Sequence, residues 1–200
     1  MQRFLLLLLL CVPSFIWGQE ADTLRLPDFR GIRMYKSLNG ALQQPDSVIR
    51  LDLSKQKLKE VPEEIRKFPN LKELNLSKNN IRELPEWIAE FKHLEILDLS
   101  NNKLEALPAS IGQLSKLGIL RLNRNVIETL PAEMGLLVNL QVLEMWDNEL
   151  VAVPEEMKKL RNLKVFELRG ILFTHEEQLQ IQDLLPDTRI YFSPHCNCTH

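Results

Sequence analysis

The sequence predicts an α/β solenoid, a curved horseshoe of stacked turns with parallel strands on the concave face and short helical or irregular turns on the convex face. Three observations predict it. The chain repeats itself every 23 residues through registers that begin at Val48, Leu71, Leu94, Leu117 and Leu140, and the period never slips. Within a register, apolar residues suit first a short strand and then, three apart, a helical turn. One amide returns at a fixed place in every register, as Gln56, Asn79, Asn102, Asn125 and Asn148.

In chain order, the first segment reads as an address. Arg3 supplies a positive charge, Phe4 to Val12 is unbroken apolar sequence, Pro13 breaks it, and Gly18 offers a small residue before Gln19. Residues 1–18 are therefore expected to be a signal peptide, and the mature chain to be exported, to a periplasm or the extracellular space. The apolar run is too short for a membrane span, which needs about 20 residues, and no later segment approaches that length. Leu10 stands where lipid modification of Cys11 would want a small residue, which argues against a lipid anchor.

Residues 19–47 lack the repeat and are expected to form an N-terminal cap. Met34, Tyr35, Leu38, Ala41 and Leu42 recur at helical spacing before Pro45, so a short amphipathic helix is expected over the first unit.

Residues 48–173 hold five regular units and one degenerate unit. In the third, Leu94, Leu97 and Leu99 point inward from a strand, Leu104 and Leu107 turn inward again, and Ile111 and Leu114 suit a helical turn on the far side. Burying these seven side chains does not exceed the conformational entropy of fixing one unit, so the units must stack to fold. The amide column sits where the strand bends into the loop and leaves backbone groups unpaired, and an amide can satisfy them with both donors and its acceptor. Pro62, Pro85, Pro108, Pro131 and Pro154 fit the first position of the helical turn, with Glu63, Glu64, Glu86, Glu133, Glu155 and Glu156 behind them to complement its N-terminus.

From Leu163 the pattern degrades, with Ile171 in place of the amide, as a terminal unit should. Residues 174–192 are expected to close the stack. Thr174 N-caps a helix through about Leu185, with Glu177 at capping-box distance, and Ile190 to Phe192 form a last strand. Residues 193–200 are a tail in which His195, Cys196, Cys198 and His200 are potential zinc or copper ligands. Nothing rigid holds them, so thiols oxidised after export are the preferred reading and no metal or cofactor is assigned.

The pattern L-x-x-L-x-L-x-x-N-x-L, followed by L-P-x-x-I-x-x-L, resembles the leucine-rich repeat family in its 23-residue type. The closing helix with L-L-P and I-Y-F is similar to that of small exported bacterial members. The resemblance implies a non-catalytic module that binds a protein or peptide.

Surface composition narrows the alternatives. Lys and Arg number 25 against 27 Asp and Glu, with no long block of one sign, which excludes a phosphate-tracking surface and hence nucleic acid. Gly112 and Gly118 have the wrong spacing for a phosphate loop, and no hydrolase motif is present. Three columns should line the concave face: Arg50, Glu73, Ile96, Ile119, Val142 and Val165; Asp52, Asn75, Asp98, Arg121, Glu144 and Glu167; Ser54, Ser77, Ser100, Asn123, Trp146 and Arg169. The expected ligand-binding residues are an exposed apolar stripe of Ile96, Ile119, Val142 and Val165, with Arg121, Glu144, Trp146 and Arg169 beside it. Trp and Arg are enriched in binding hot spots. A carbohydrate or cell-wall binder is the second reading. A hydrolase built on Asp98 and Glu144 is the third, and Arg121 between them argues against it, since a general acid needs its proton held, not expelled.

Overall fold

The computed structural model describes Leu24 and residues 26–194. The expected signal peptide and the His195 to His200 tail lie outside the described residues. A single parallel sheet of eight strands follows chain order without a crossover: β1 (Met34–Tyr35), β2 (Arg50–Asp52), β3 (Glu73–Asn75), β4 (Ile96–Asp98), β5 (Ile119–Arg121), β6 (Val142–Glu144), β7 (Val165–Glu167) and β8 (Arg189–Tyr191). The register of the sheet is the register of the repeat: Arg50 pairs with Glu73, Glu73 with Ile96, Ile96 with Ile119, Ile119 with Val142 and Val142 with Val165. Strands this short are stable because the middle residue of each from β2 to β7, Leu51, Leu74, Leu97, Leu120, Leu143 and Phe166, is completely buried in one continuous core.

The convex side is built from five 3-10 turns, at Glu63–Lys67, Glu86–Glu90, Ala109–Gln113, Ala132–Leu136 and Glu155–Lys159. The prolines stand one place earlier than expected, as extended residues that cap each turn, and each accepts a bond from three residues on, as Ile111 N–H to Pro108 O at 3.1 Å. The turns pack closely enough to fix two glycines. A Cβ at Gly112 would run into the carbonyl of Glu133, and one at Gly135 into that of Glu156.

The asparagines behave as stitches between units. Asn102 Oδ1 accepts from Ile81 N at 3.0 Å, while its Nδ2 donates to Leu76 O and Leu99 O, both at 3.0 Å. Asn79, Asn125 and Asn148 make the corresponding bonds one unit away in either direction. Gln56 departs from the column. One methylene longer, it lies exposed, and its amide nitrogen reaches only Lys36 O at 3.5 Å. The residue before each ladder position turns the chain with positive φ, as in Lys55, Lys78, Asn101, Arg124 and Asp147.

The N-terminal cap corrects the helical expectation. Met34 and Tyr35 form β1, paired with Arg50 and Leu51, and only Leu38–Ala41 is helical (α1), capped by the Ser37 hydroxyl, which accepts from Gly40 N at 3.2 Å. An uncovered β2 would leave a row of backbone groups without partners, and a strand satisfies them where a helix would not. The C-terminal cap follows the sequence: α2 spans His175–Leu184 with Thr174 and Glu177 in a reciprocal capping box, and the closing strand starts one residue early, at Arg189.

Candidate binding face

The alternation of each strand sends its first and last residue to the concave side, and the sheet register aligns them into the first two expected columns; the third, Ser54 to Arg169, follows two residues past each strand. β1 and β8 extend them: Met34 joins the first, Arg189 follows Val165, and Tyr191 follows Glu167.

The apolar stripe is continuous but not uniformly exposed. Ile96, Val142 and Val165 are half-buried, whereas Ile119 at its centre is only 4% exposed, which corrects its place among exposed contact residues. Ile96 and Val142 flank it on the neighbouring strands, and Pro27, from the segment before β1, borders the same cavity as the adjacent Gly118. That segment is anchored by Arg50, whose Nη1 donates to Phe29 O and Ile32 O at 3.3 Å and whose guanidinium lies 5.3 Å from the Phe29 ring centroid.

Paired charges run through all three columns. Arg50 Nε donates to Glu73 at 2.6 Å and Arg121 Nε to Glu144 at 3.3 Å; Glu167 receives Arg169 at 2.9 Å. Asp98 is held through one oxygen by the Ser100 N–H and hydroxyl, at 2.9 and 2.5 Å. Glu144 is gripped twice, since Asn123 Nδ2 donates to its second oxygen at 3.0 Å. Carboxylates bound this way are acceptors in a fixed network, with Arg121 standing in register between Asp98 and Glu144. The buried Asn123 Oδ1 is left without a partner.

Trp146, expected to be exposed with Arg121 and Arg169 near it, is half-buried just past β6 and stacks with a different cation. Arg121 and Arg169 are committed to Glu144 and Glu167, and it is Arg124 whose guanidinium lies over the indole, 4.6 Å from the ring centroid. Arg124 also meets Asp147 at 3.4 Å. Sequence reasoning missed Arg124 because it treated that register as loop. The signal was available, since Lys55, Lys78, Asn101, Arg124 and Asp147 form a fourth column at the same period. A second stitching column was also missed: the side chains of Asn70, Asn139 and Asn162, each just before a unit's first leucine, donate to Asp46 O, Ser115 O and Val138 O at 2.7 to 2.9 Å.

Among the described residues, no group of three or more His, Cys, Asp or Glu is placed to hold a metal ion, and no helix is long and apolar enough to cross a membrane.

A parallel sheet on one side, 3-10 turns on the other and an amide ladder between define a repeat solenoid with an open concave face. The chain belongs to the leucine-rich repeat family: a family model described as a leucine-rich repeat region matches residues 47–186. Among solved structures it is similar to a leucine-rich repeat protein of Leptospira interrogans, at 32% identity and a TM-score of 0.64 over 81% of this chain and 49% of that one. It is also similar to the plant peptide hormone receptor RGFR1 in complex with RGF2, at 32% identity and TM-score 0.61, over 74% of this chain and 24% of the receptor. An internalin from Listeria monocytogenes shares the fold at 20% identity and TM-score 0.62, over 76% of this chain and 42% of that one. The chain thus spans half or less of the length of these relatives. No curated protein matches the sequence.

Proposed function

We propose that this protein is a non-catalytic, exported interaction module whose concave face, from the third unit to the sixth, binds a protein or peptide. The observation that carries the reading is the Arg124 and Trp146 stack on the same face as the apolar stripe of Ile96, Val142 and Val165. Folding does not ask for an indole at that register, where the first three units carry Ser54, Ser77 and Ser100. A similar receptor structure that holds a peptide ligand supports the same reading. The carboxylates of the face serve as hydrogen-bond acceptors in this proposal, and the face has no part in hydrolysis. Export rests on residues 1–18, and secreted material whose intact mass still includes them would overturn that part.

The test is affinity capture from the native extracellular milieu with wild-type and Trp146→Ala chains side by side. A partner retained by the first and lost by the second supports the reading. A partner retained equally by both overturns it, and capture that only free sugar can compete away would favour a carbohydrate ligand.

A further inference from the structure

At the strand-start edge of the sheet, next to the apolar stripe, lies a cavity of about 540 Å³ bordered by Glu95, Lys116, Gly118, Gln141, Lys164 and Pro27. Gly118 is what opens it. The other units carry Ile49, Lys72, Glu95, Gln141 and Lys164 at this register. A Cβ on Gly118 would sit 3.7 Å from Glu95 O and 3.9 Å from both Asn139 O and Gln141 Nε2, which is ordinary contact, so the fold does not require a glycine there. Gly112 and Gly135, by contrast, have no room for one.

The charges around the notch do not cancel. Glu95 is paired with Lys72 at 2.9 Å. Lys116 Nζ bonds a ring nitrogen of His93 at 3.1 Å, which brings no negative charge, and among the described residues neither Lys116 nor Lys164 forms an ion pair. Two lysines without an ion pair, Lys116 and Lys164, therefore border a space that a missing side chain has left open, beside Ile119 and Val142.

We propose that this notch is a carboxylate subsite, which takes an acidic side chain of a peptide ligand whose neighbouring apolar side chain lies on the stripe. Lys116 and Lys164 donate charge-assisted hydrogen bonds to the carboxylate, and Gln141 closes one wall. The proposal rests on the peptide-binding reading but occupies a different place on the face, since the notch and Trp146 are on the order of 16 Å apart along the strand direction.

The test titrates the ¹⁵N-labelled chain with N-acetyl-Leu-Glu-amide, with N-acetyl-Leu-Gln-amide and inorganic phosphate as comparison probes. The Glu probe is expected to move the amide signals of Gly118, Gln141 and Lys164, and to bind roughly tenfold or more tightly than the Gln probe. Gly118→Gln, which supplies the neighbouring unit's side chain, should abolish the response with melting shifted by no more than about 3 °C. Lys164→Gln should weaken it roughly tenfold and serves if the first variant folds poorly. No response at about 10 mM, equal response to the Glu and Gln probes, or the same shifts from phosphate at equal concentration would each overturn the subsite. The dipeptide is too short to span from the notch to Trp146, so its binding does not involve the indole, and a failure here is distinct from a failure of the binding face.

Discussion

Arg124 lays its guanidinium over the indole of Trp146, 4.6 Å from the ring centroid, while its backbone N–H donates to the Trp146 carbonyl at 2.9 Å. The two residues belong to successive units, so the stack is a product of the repeat register. Stacking on a cation holds the ring at a fixed angle to the face and reduces the entropy a partner must remove.

Removing either half of that pair should therefore weaken a partner. Trp146→Ala is expected to cost about 2 kcal/mol or more of binding and Arg124→Ala about 1 kcal/mol, with circular dichroism and melting nearly unchanged. Ser54→Ala, on the same face in the first unit, is expected to do almost nothing. Isothermal titration with an identified partner measures all three.

The ladder predicts an asymmetry that the sequence column alone does not show. Asn102→Ala should destabilise the chain by about 1 to 3 kcal/mol, because Leu76 O, Leu99 O and Ile81 N lose their partner. Gln56→Ala, in the same column but exposed, should fall within about 0.5 kcal/mol. Urea midpoints compared at equal slope give both values.

Two glycines of the same central units should respond in opposite ways. Gly112→Ala drives a methyl group into the Glu133 backbone and should cost about 1 to 3 kcal/mol. Gly118→Ala meets only ordinary contacts and narrows the unfolded ensemble, for a gain of about 0.5 kcal/mol. Equal melting temperatures for the two variants would contradict the packing described for the convex turns.

The start of α2 should loosen in acid. Bonds from the Thr174 backbone N–H and hydroxyl hold the Glu177 carboxyl below the ordinary value of 4.5. A carboxyl depressed in the folded state stabilises above its unfolded pKa, and that contribution is lost as pH falls through the lower, folded value. Protection of the amides in residues 175–178, taken relative to their intrinsic exchange at each pH, is therefore expected to fall in this acidic range ahead of global unfolding, and in Glu177→Gln that protection should barely change with pH there.

The repeat, its register and the inward asparagines were legible because each rests on short-range spacing that one chain displays many times. Where a position occurs once, spacing carries less. Met34 and Tyr35 fit a helical period, yet the need to cover β2 decides their conformation. Gln56 matches the ladder chemically, yet its extra methylene takes it out of the ladder. The candidate face was half legible. Trp146 stands out in the sequence as an outlier within its column, and spacing alone assigns Arg121, Glu144 and Arg169 to the columns they occupy. The choice of Arg124 over Arg121 as the indole's partner depended on which carboxylates were already claiming the other arginines.

Each ladder asparagine bonds to carbonyls of two successive turns, so no turn can leave the stack without orphaning polar atoms in its neighbour. Under tension applied between the termini, the molecule should not stretch smoothly. It should peel from an end, one turn at a time, each event releasing a whole unit of 23 residues and roughly 80 Å of extended chain. The force record would be a sawtooth of equal teeth, and its spacing would measure the repeat length as directly as the sequence does.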